Sequence, residues 1–379
     1  MTAAESAAPP RSGAAPVFLT GAAGHVGANL LHRLRGDGVN VRVLLRHADN
    51  NEAVDGLDVE AVFGDIRDLD AMRRAIDGCR GVYHVAAKIS TIDGDRAHRR
   101  ELFETNVLGT RNVLQAARET EAGRVVVTGS FSAVGYDLDD PSAASTETMP
   151  FYPMARTMPY ERSKALMELQ CWRAAATGQE VVVATCCAVV GGHDYFPSRL
   201  GRTMCDYTKG TIRAYVDGGF EFVAARDIVA GHLLCMERGR SGEKYIFSSE
   251  YKTISEILDL YESVSGLPRP GRRIPARFML GLTEVSSYYL SRFQPKVNQR
   301  FTPGAVRLLQ LRRHADTAKA REELGFEPTS IAEAVAEAYA FHCGRGRITN
   351  PKANPPAAGE RQSDAASPPA GDPRTGAAP

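Results

Sequence analysis

Thr20-Gly21-Ala22-Ala23-Gly24-His25-Val26-Gly27 joins a short apolar run, residues 17–20, to a helix-like stretch over residues 28–35. Glycine at such a strand-to-helix turn serves three ends: a tight turn, close approach of the backbone to a pyrophosphate, and close packing of helix on strand. The helix that follows offers unbonded N–H groups and the positive end of its dipole to phosphate oxygens. Glycine-rich turns are common in any chain, but this one occupies the first strand-to-helix turn of an alternating sequence. It therefore reads as a dinucleotide loop, with Thr20, Gly21, Gly24, His25, Val26 and Gly27 as cofactor-binding residues.

The alternation continues outward from the loop. Residues 41–45 and 59–63 are rich in β-branched and aliphatic side chains and read as strands two and three. A helix over 68–76, a strand over 81–86, a long helix over 99–119 and a strand over 124–128 follow. Residues 180–188 form a continuous apolar run, as expected of a strand covered by helices on both faces. The pattern predicts an α/β fold with a doubly wound parallel sheet of the Rossmann type over residues 16–190. Beyond Gly191 proline, glycine and aromatic residues become denser. Residues 191–343 read as a smaller, mainly substrate-binding part interleaved with that core. Residues 1–15 and 344–379, rich in Ala, Pro and Gly, read as disordered ends because they cannot bury enough surface to offset their ordering entropy.

Composition excludes several function classes. The chain has 379 residues, 46 Lys plus Arg against 45 Asp plus Glu, and a formal net charge of +1, so it lacks the basic excess of a nucleic-acid binder. Its seven cysteines, Cys79, Cys171, Cys186, Cys187, Cys205, Cys235 and Cys343, include no C-x-x-C pair. They read as free thiols in a reducing compartment, with no metal site. No signal-peptide pattern or apolar stretch long enough for a bilayer is present, so the sequence predicts a cytoplasmic protein with no stable membrane insertion.

Strand two ends Val43-Leu44-Leu45-Arg46-His47, with no carboxylate to accept the 2′-OH of an adenosine ribose. A guanidinium suits a 2′-phosphate, so Arg46 favours NADP(H) over NAD(H); the alternative is a solvated loop charge. Tyr160-Glu161-Arg162-Ser163-Lys164 opens a further helix-like run to residue 176. A spacing of four sets Tyr160 and Lys164 one turn apart on one face. A cation there is expected to lower the phenol pKa from about 10. Tyr160 would then exchange a proton with a substrate oxygen while hydride moves at the nicotinamide.

With the loop at Gly21, this pair resembles the extended branch of the short-chain dehydrogenase/reductase superfamily, over roughly residues 16–344. Val125-Val126-Val127-Thr128-Gly129-Ser130-Phe131-Ser132-Ala133-Val134-Gly135 is similar to the family's strand-five segment, and by that resemblance Ser130 is the catalytic serine, with Ser132 the second candidate. The resemblance also implies that Asp65 and Ile66 face the adenine and that Ala86 and Ala87 line the nicotinamide ribose. Asn106 would orient Lys164 or a water, or else serve only the helix that carries it. Pro197-Ser198-Arg199-Leu200-Gly201-Arg202, Ala214-Tyr215-Val216-Asp217-Gly218-Gly219 and Asp227-Ile228-Val229-Ala230-Gly231-His232 resemble a narrower subgroup. It includes dihydroflavonol-reductase-like and 3β-hydroxysteroid-dehydrogenase-like enzymes and hopanoid-associated sugar epimerases. Two departures are expected in the pocket wall: Cys187 near the position of the usual proline, and Ala224-Ala225-Arg226 in place of His-Val-Asp.

The resemblance implies a small-molecule substrate and suggests a homodimer. Glu221 stands where nucleotide-sugar enzymes of the branch usually place an arginine for the diphosphate, and would repel phosphate; Arg202, Arg213 and Arg226 are candidates to compensate. Ser130-Phe131 lacks the acidic residue of the sugar dehydratases. The apolar stretch Phe278-Met279-Leu280-Gly281-Leu282, with Tyr288, Tyr289, Leu290 and Phe293, is read as a substrate roof, as plain packing, or as a membrane-surface contact. The reading that results is a ketone/secondary-alcohol oxidoreductase acting on a fairly apolar compound of small to medium size. A retained-cofactor sugar epimerase and a non-catalytic dinucleotide sensor are the alternatives.

Overall fold

The computed structural model describes residues 14–46, 51–137, 139–140, 143–151, 157–293 and 302–349. Its centre is a parallel sheet of seven strands. In chain order these are β1 (Val17–Thr20), β2 (Val41–Leu45), β3 (Glu60–Phe63), β4 (Gly81–His84), β5 (Arg124–Ser130), β6 (Val181–Cys186) and, much later, β10 (Lys244–Phe247). Their spatial order is β10-β6-β5-β4-β1-β2-β3. The strand order reverses between β1 and β4, and ligands of open α/β sheets bind at such a switch point, beyond the carboxyl ends of the strands.

Alternation along the strands explains why both faces are covered. Val17 and Leu19 enter one apolar core and Phe18 the other. On β5, Val126 faces the first core while Val125 and Val127 face the second. Each such side chain contributes about 1.5–3 kcal/mol when fully buried. The first core is roofed by α1 (His25–Gly36) and α7 (Ala225–Arg238), the second by α2 (Leu69–Ile76), α4 (Thr110–Glu119) and α5 (Pro159–Ala176).

The long helix expected over 99–119 is broken. It runs as α3 (Arg96–Phe103), a π-helical segment at Glu104–Gly109, and then α4. A π segment inserts an extra residue into the turn and changes which side chains face inward. Here it buries Asn106 and Gly109. A Cβ on Gly109 would lie 2.7 Å from Ile66 Cδ1, so a larger residue there would require the Ile66 side chain to move.

From β7 (Ala188–Val190) onward the chain builds a second layer: α6 (Arg199–Thr208), β8 (Ala214–Val216), β9 (Gly219–Ala224), β11 (Glu250–Thr253), α8 (Ile254–Ser265), β12 (Arg272–Ile274), α9 (Ala276–Phe293), α10 (Pro303–Leu311), α11 (Ala318–Leu324) and α12 (Ile331–Gly344). β7, β9 and β11 form a three-stranded sheet, and β8 pairs with β12. Within this stretch β10 returns to the main sheet. Lys244, at its start, forms a buried ion pair with Glu168 of α5 at 3.1 Å, which rivets the strand to that helix. At the start of the stretch read as a tail, Arg347 donates to the Asp194 carbonyl at 3.0 Å, and Ile348 is buried. Residues 1–13, His47 to 50 and 350–379 lie outside the described residues.

Candidate active site

The glycine loop forms as the sequence predicts, for steric reasons. Gly21 has φ +78°, and a Cβ there would come within 2.7 Å of the Ala86 nitrogen. A Cβ on Gly27 would stand 2.0 Å from the Gly21 carbonyl oxygen. The loop, α1 and the end of β4 are thus packed backbone to backbone. Gly24 is the N-cap of α1, no side chain caps the helix, and its first turn holds no acidic residue. Nothing there competes with or repels an anion, so the loop fits a pyrophosphate. His25 Nε2 bonds the Gly192 carbonyl at 3.0 Å, tying α1 to the loop after β7, and Val26 packs on the first core.

Thr20 closes a buried polar chain beneath the loop. Thr110 Oγ1 donates its only proton to the Asn106 carbonyl (2.8 Å), so His84 Nε2 must be the donor in its 2.9 Å contact with that hydroxyl. In the neutral ring Nδ1 then accepts from Thr20 Oγ1 at 2.8 Å, and Thr20 in turn accepts from the Ala86 N–H at 3.2 Å. Burial, with Lys164 nearby, pushes His84 down to about 3, which keeps the imidazole neutral. Ala87, next along, is half-buried.

Around the adenosine end the residues are less converged. Arg46 is exposed at the end of β2. The Asp65 carboxylate is held by Arg67 through Nε (3.0 Å) and Nη2 (2.6 Å), and that guanidinium keeps it below the usual carboxylate range. Ile66 is buried, and its carbonyl accepts from Asn112 Nδ2 at 3.1 Å.

Ser130, Tyr160 and Lys164 come together at the carboxyl ends of β5 and β6. Pro159 stands in the first turn of α5, where its missing N–H costs nothing. Glu161 Oε2 accepts from the Met158 N–H at 2.7 Å and so fixes the helix start beside Tyr160. The Ser130 hydroxyl neighbours the Tyr160 phenol and favours its charged form, and Ser132 Oγ lies 2.9 Å from Ser130 Oγ. Lys164 is buried, and its Nζ donates to the Thr128 carbonyl at 2.8 Å. The expected lowering of the phenol is not what the electrostatics give. Burial pushes Tyr160 up, Cys186 adds to the rise, and the neighbouring Ser130 hydroxyl only partly offsets it. The physical reason is that burial disfavours the charged phenolate more than its neighbours favour it, and burial pushes the Lys164 ammonium down as well.

Asn106 does not reach the lysine directly. Its Oδ1 accepts from the Lys88 N–H (2.7 Å), and its Nδ2 donates to the Lys88 carbonyl (2.9 Å) and to Ser163 Oγ (2.9 Å). Ser163 then donates to the Tyr160 carbonyl at 2.7 Å. The amide thereby joins the segment after β4 to the helix of Tyr160 and Lys164.

Three features escaped the sequence reading. Cys186 is the register partner of Ser130, donates to the Gly129 carbonyl at 3.4 Å, and acts electrostatically on both Tyr160 and Lys164; the adjacent Cys187 instead neighbours Glu221 and Arg313. His232 accepts from Thr128 Oγ1 at 2.7 Å and is anchored through Nδ1 to the Ile228 carbonyl at 2.7 Å. Arg313, buried after α10, donates to the carbonyls of Val134 (2.9 Å) and Gly135 (3.0 Å), and stacks on Phe131 (4.5 Å) and Tyr136 (4.7 Å). It clamps the loop that follows Ser130. A histidine ending the apolar run Gly81-Val82-Tyr83-His84 was a readable signal of a polar chain, whereas nothing local marks Arg313.

The pocket-wall expectation for Arg226 is corrected: its guanidinium binds Thr329 (2.9 Å) and Glu337 (2.8 Å) and also pairs with Glu333, on the side of α12. Arg202 donates to the Pro197 carbonyl at 2.7 Å, and Arg213 is exposed. Glu221 is also absorbed internally, accepting from Ser248 Oγ (2.5 Å) and the Ala315 N–H (3.0 Å). In the apolar stretch, Met279 and Leu280 pack with Val216 and Val306, while Phe278 and Leu282 stay exposed; the side chains of Tyr288, Leu290 and Phe293 lie outside the described residues. A separate surface cleft of about 700 Å³ between α1 and α7 is lined by Val17, Tyr83 and Phe326 and lies at the opposite end of β1 from the glycine loop. Among the described residues no helix is long and apolar enough to cross a membrane, and no cluster of His, Cys, Asp and Glu could hold a metal ion.

A parallel sheet with a glycine-cradled helix terminus at its switch point defines a dinucleotide-binding oxidoreductase fold. The chain belongs to the NAD-dependent epimerase/dehydratase family, the extended branch of the short-chain dehydrogenase/reductases: the family pattern matches residues 17–247. It is similar to sterol demethylase protein B of Methylococcus capsulatus, with 42% identity over 331 residues that span 87% of this chain and 99% of the relative. It is 26% identical over 315 residues to a 4-hydroxy-2-methyl-3-oxo-4-farnesyl-3,4-dihydroquinoline-1-oxide ketoreductase of Stigmatella aurantiaca, covering 82% of this chain and 91% of that one. In fold it matches the crystal structure of DesIV, a dTDP-glucose 4,6-dehydratase of Streptomyces venezuelae with NAD bound, at TM-score 0.69 and 24% identity, over 87% of this chain and 98% of that chain.

Proposed function

We propose that the protein interconverts a ketone and a secondary alcohol on an apolar, sterol-like substrate, with NADP(H) as the favoured dinucleotide and NAD(H) as the other. The observation that carries the reading is the placement of Ser130 beside the Tyr160 phenol, with Lys164 buried one turn further along the same helix.

The bound dinucleotide supplies or accepts the hydride. Thr20, Gly21, Gly24, His25, Val26 and Gly27 hold its pyrophosphate at the start of α1, Asp65 and Ile66 face the adenine, and Ala86 and Ala87 lie along the nicotinamide ribose. Arg46, exposed after β2, takes the 2′-phosphate. Tyr160 Oη gives a proton to the carbonyl oxygen in reduction and takes it back in oxidation. Ser130 Oγ bonds the same oxygen and fixes its place. Because burial keeps the phenol in its protonated form, the resting residue is poised as an acid. Lys164, held at the Thr128 carbonyl, keeps a positive charge beneath the phenol. Asn106 acts through Lys88 and Ser163 as a positioning residue.

The apolar substrate is supported by the names of the two relatives and by the engagement of Arg226 with Thr329, Glu333 and Glu337, which leaves it none of its charge for a sugar diphosphate. The test is turnover of purified protein with NADP+ or NAD+ and a 3-hydroxysteroid, and with NADPH or NADH and the matching ketone. Net cofactor absorbance change that depends on Tyr160 supports the reading. Conversion of a UDP-sugar with no net absorbance change would replace it with epimerisation. Tight dinucleotide binding with no turnover of either class would leave a sensor.

A further inference from the structure

We propose that one face of α9 docks the protein on an anionic lipid surface. Phe278, Leu282 and Val285 are 65%, 53% and 71% exposed. Their spacings of four and three residues set them on a single stripe of the helix. The stripe is not the inner face of the helix, because Met279 and Thr283 are buried on its other side, Met279 among Val216 and Val306. A row of large apolar side chains left in water on one helix marks a surface that is meant to be covered.

The neighbouring charge selects what covers it. Arg277 lies in the first turn of α9, which contains no acidic residue, so the side chain adds to the positive end of the helix dipole. Arg272 of β12 pairs in register with Ala214, which brings Arg213 alongside, and both are exposed. Among the described residues, Arg213, Arg272 and Arg277 have no ion-pair partner. Glu284, the acid on the same helix, is already neutralised by Arg307 at 2.7 Å, and Asp217 is taken by Arg273 (2.6 Å) and Arg312 (2.7 Å). Among the described residues, the uncompensated charge at the start of α9 and on β12, which leads into it, is therefore positive. An apolar stripe edged by arginine is complementary to acyl chains beneath anionic headgroups, and the helix would lie along the interface without crossing it. A second copy of the chain is a poorer occupant. A two-fold contact through this face would double the arginines at one seam without adding an acid to pair with them.

The inference does not depend on the substrate reading, and its test measures binding alone. Full-length protein is sedimented with phosphatidylcholine vesicles prepared with and without phosphatidylglycerol, at low and high salt. Binding that requires phosphatidylglycerol and weakens in salt is expected. The double variant Leu282→Gln/Val285→Gln, at exposed positions, should keep the wild-type circular dichroism and melting temperature. Its vesicle-bound fraction should fall about tenfold. Arg272→Gln/Arg277→Gln should abolish the dependence on phosphatidylglycerol. No binding by the wild-type protein would overturn the proposal, as would undiminished binding by Leu282→Gln/Val285→Gln. A change from dimer to monomer in that variant without lipid would also overturn it, and would assign the face to a copy-to-copy contact.

Discussion

Asn106 and Ser163 meet through a single 2.9 Å hydrogen bond that joins the segment after β4 to the helix carrying Tyr160 and Lys164. Because the same amide also saturates the N–H and carbonyl of Lys88, its loss would leave backbone groups unpaired as well as the helix untethered. Asn106→Ala should cost about 2 kcal/mol of stability, seen as a lower melting temperature. With a working assay it should lower kcat more than it raises KM, since it displaces Tyr160 without touching substrate. An unchanged kcat would remove Asn106 from the positioning role.

The loop sterics make a sharper prediction. Gly27→Ala would place a methyl 2.0 Å from the Gly21 carbonyl oxygen, and the obstacle is backbone rather than a flexible side chain. Dinucleotide affinity should fall at least about a hundredfold, because the amides that cradle phosphate are displaced. Isothermal titration with NADPH and NADH measures it.

Tyr160→Phe removes only the phenol oxygen. Turnover should drop by about 10²–10⁴ while dinucleotide affinity stays near that of the wild type. Since burial raises the phenol, ketone reduction should hold its rate through neutral pH, and alcohol oxidation should climb toward alkaline pH as the base form becomes populated. A pH–rate profile in both directions checks the sign.

Two buried histidines set the acid limit of the fold. His84 is pushed down to about 3 and His232 to about 4, both by burial, from an ordinary value of 6.5. Between those values and 6.5 the unfolded chain binds more protons than the native one, so stability rises with pH across this window and falls as pH is lowered through it. Each histidine contributes a slope of up to about 1.4 kcal/mol per pH unit. Urea titrations from pH 7 to pH 4 should show the loss, and His232→Gln should flatten it.

Arg46→Asp exchanges a phosphate partner for a ribose acceptor. The ratio of kcat/KM for NADPH to that for NADH should fall by at least about tenfold. A ratio that stays put would mean that Arg46 is a solvated charge and that selectivity resides elsewhere.

Much of this is legible in the sequence, and the reasons are local. β1, β2, β5 and β6 announce themselves as runs rich in Val and Leu, and the glycine loop is legible because its glycines recur within eight residues. The spacing of Tyr160 and Lys164 follows from helix geometry alone. What escaped the sequence depends on partners far along the chain. The π segment at Glu104–Gly109 looks like any helix until Ile66 is known to press on Gly109. β10 reads as part of an irregular region because its mate, β6, is some sixty residues away. Cys186 and Cys187 are indistinguishable in sequence, and only the register with Ser130 tells which thiol faces the phenol.

Arg313 sets the order in which this protein becomes competent. The carbonyl of Gly135, in the loop following Ser130, waits for a guanidinium 178 residues later in the chain. During synthesis the glycine loop, Tyr160 and Lys164 all emerge from the ribosome long before that clamp exists. A nascent chain can therefore complete its nucleotide cradle while the loop beside its proton donor is still unfastened, and any chain released short of Arg313 is left without that fastening.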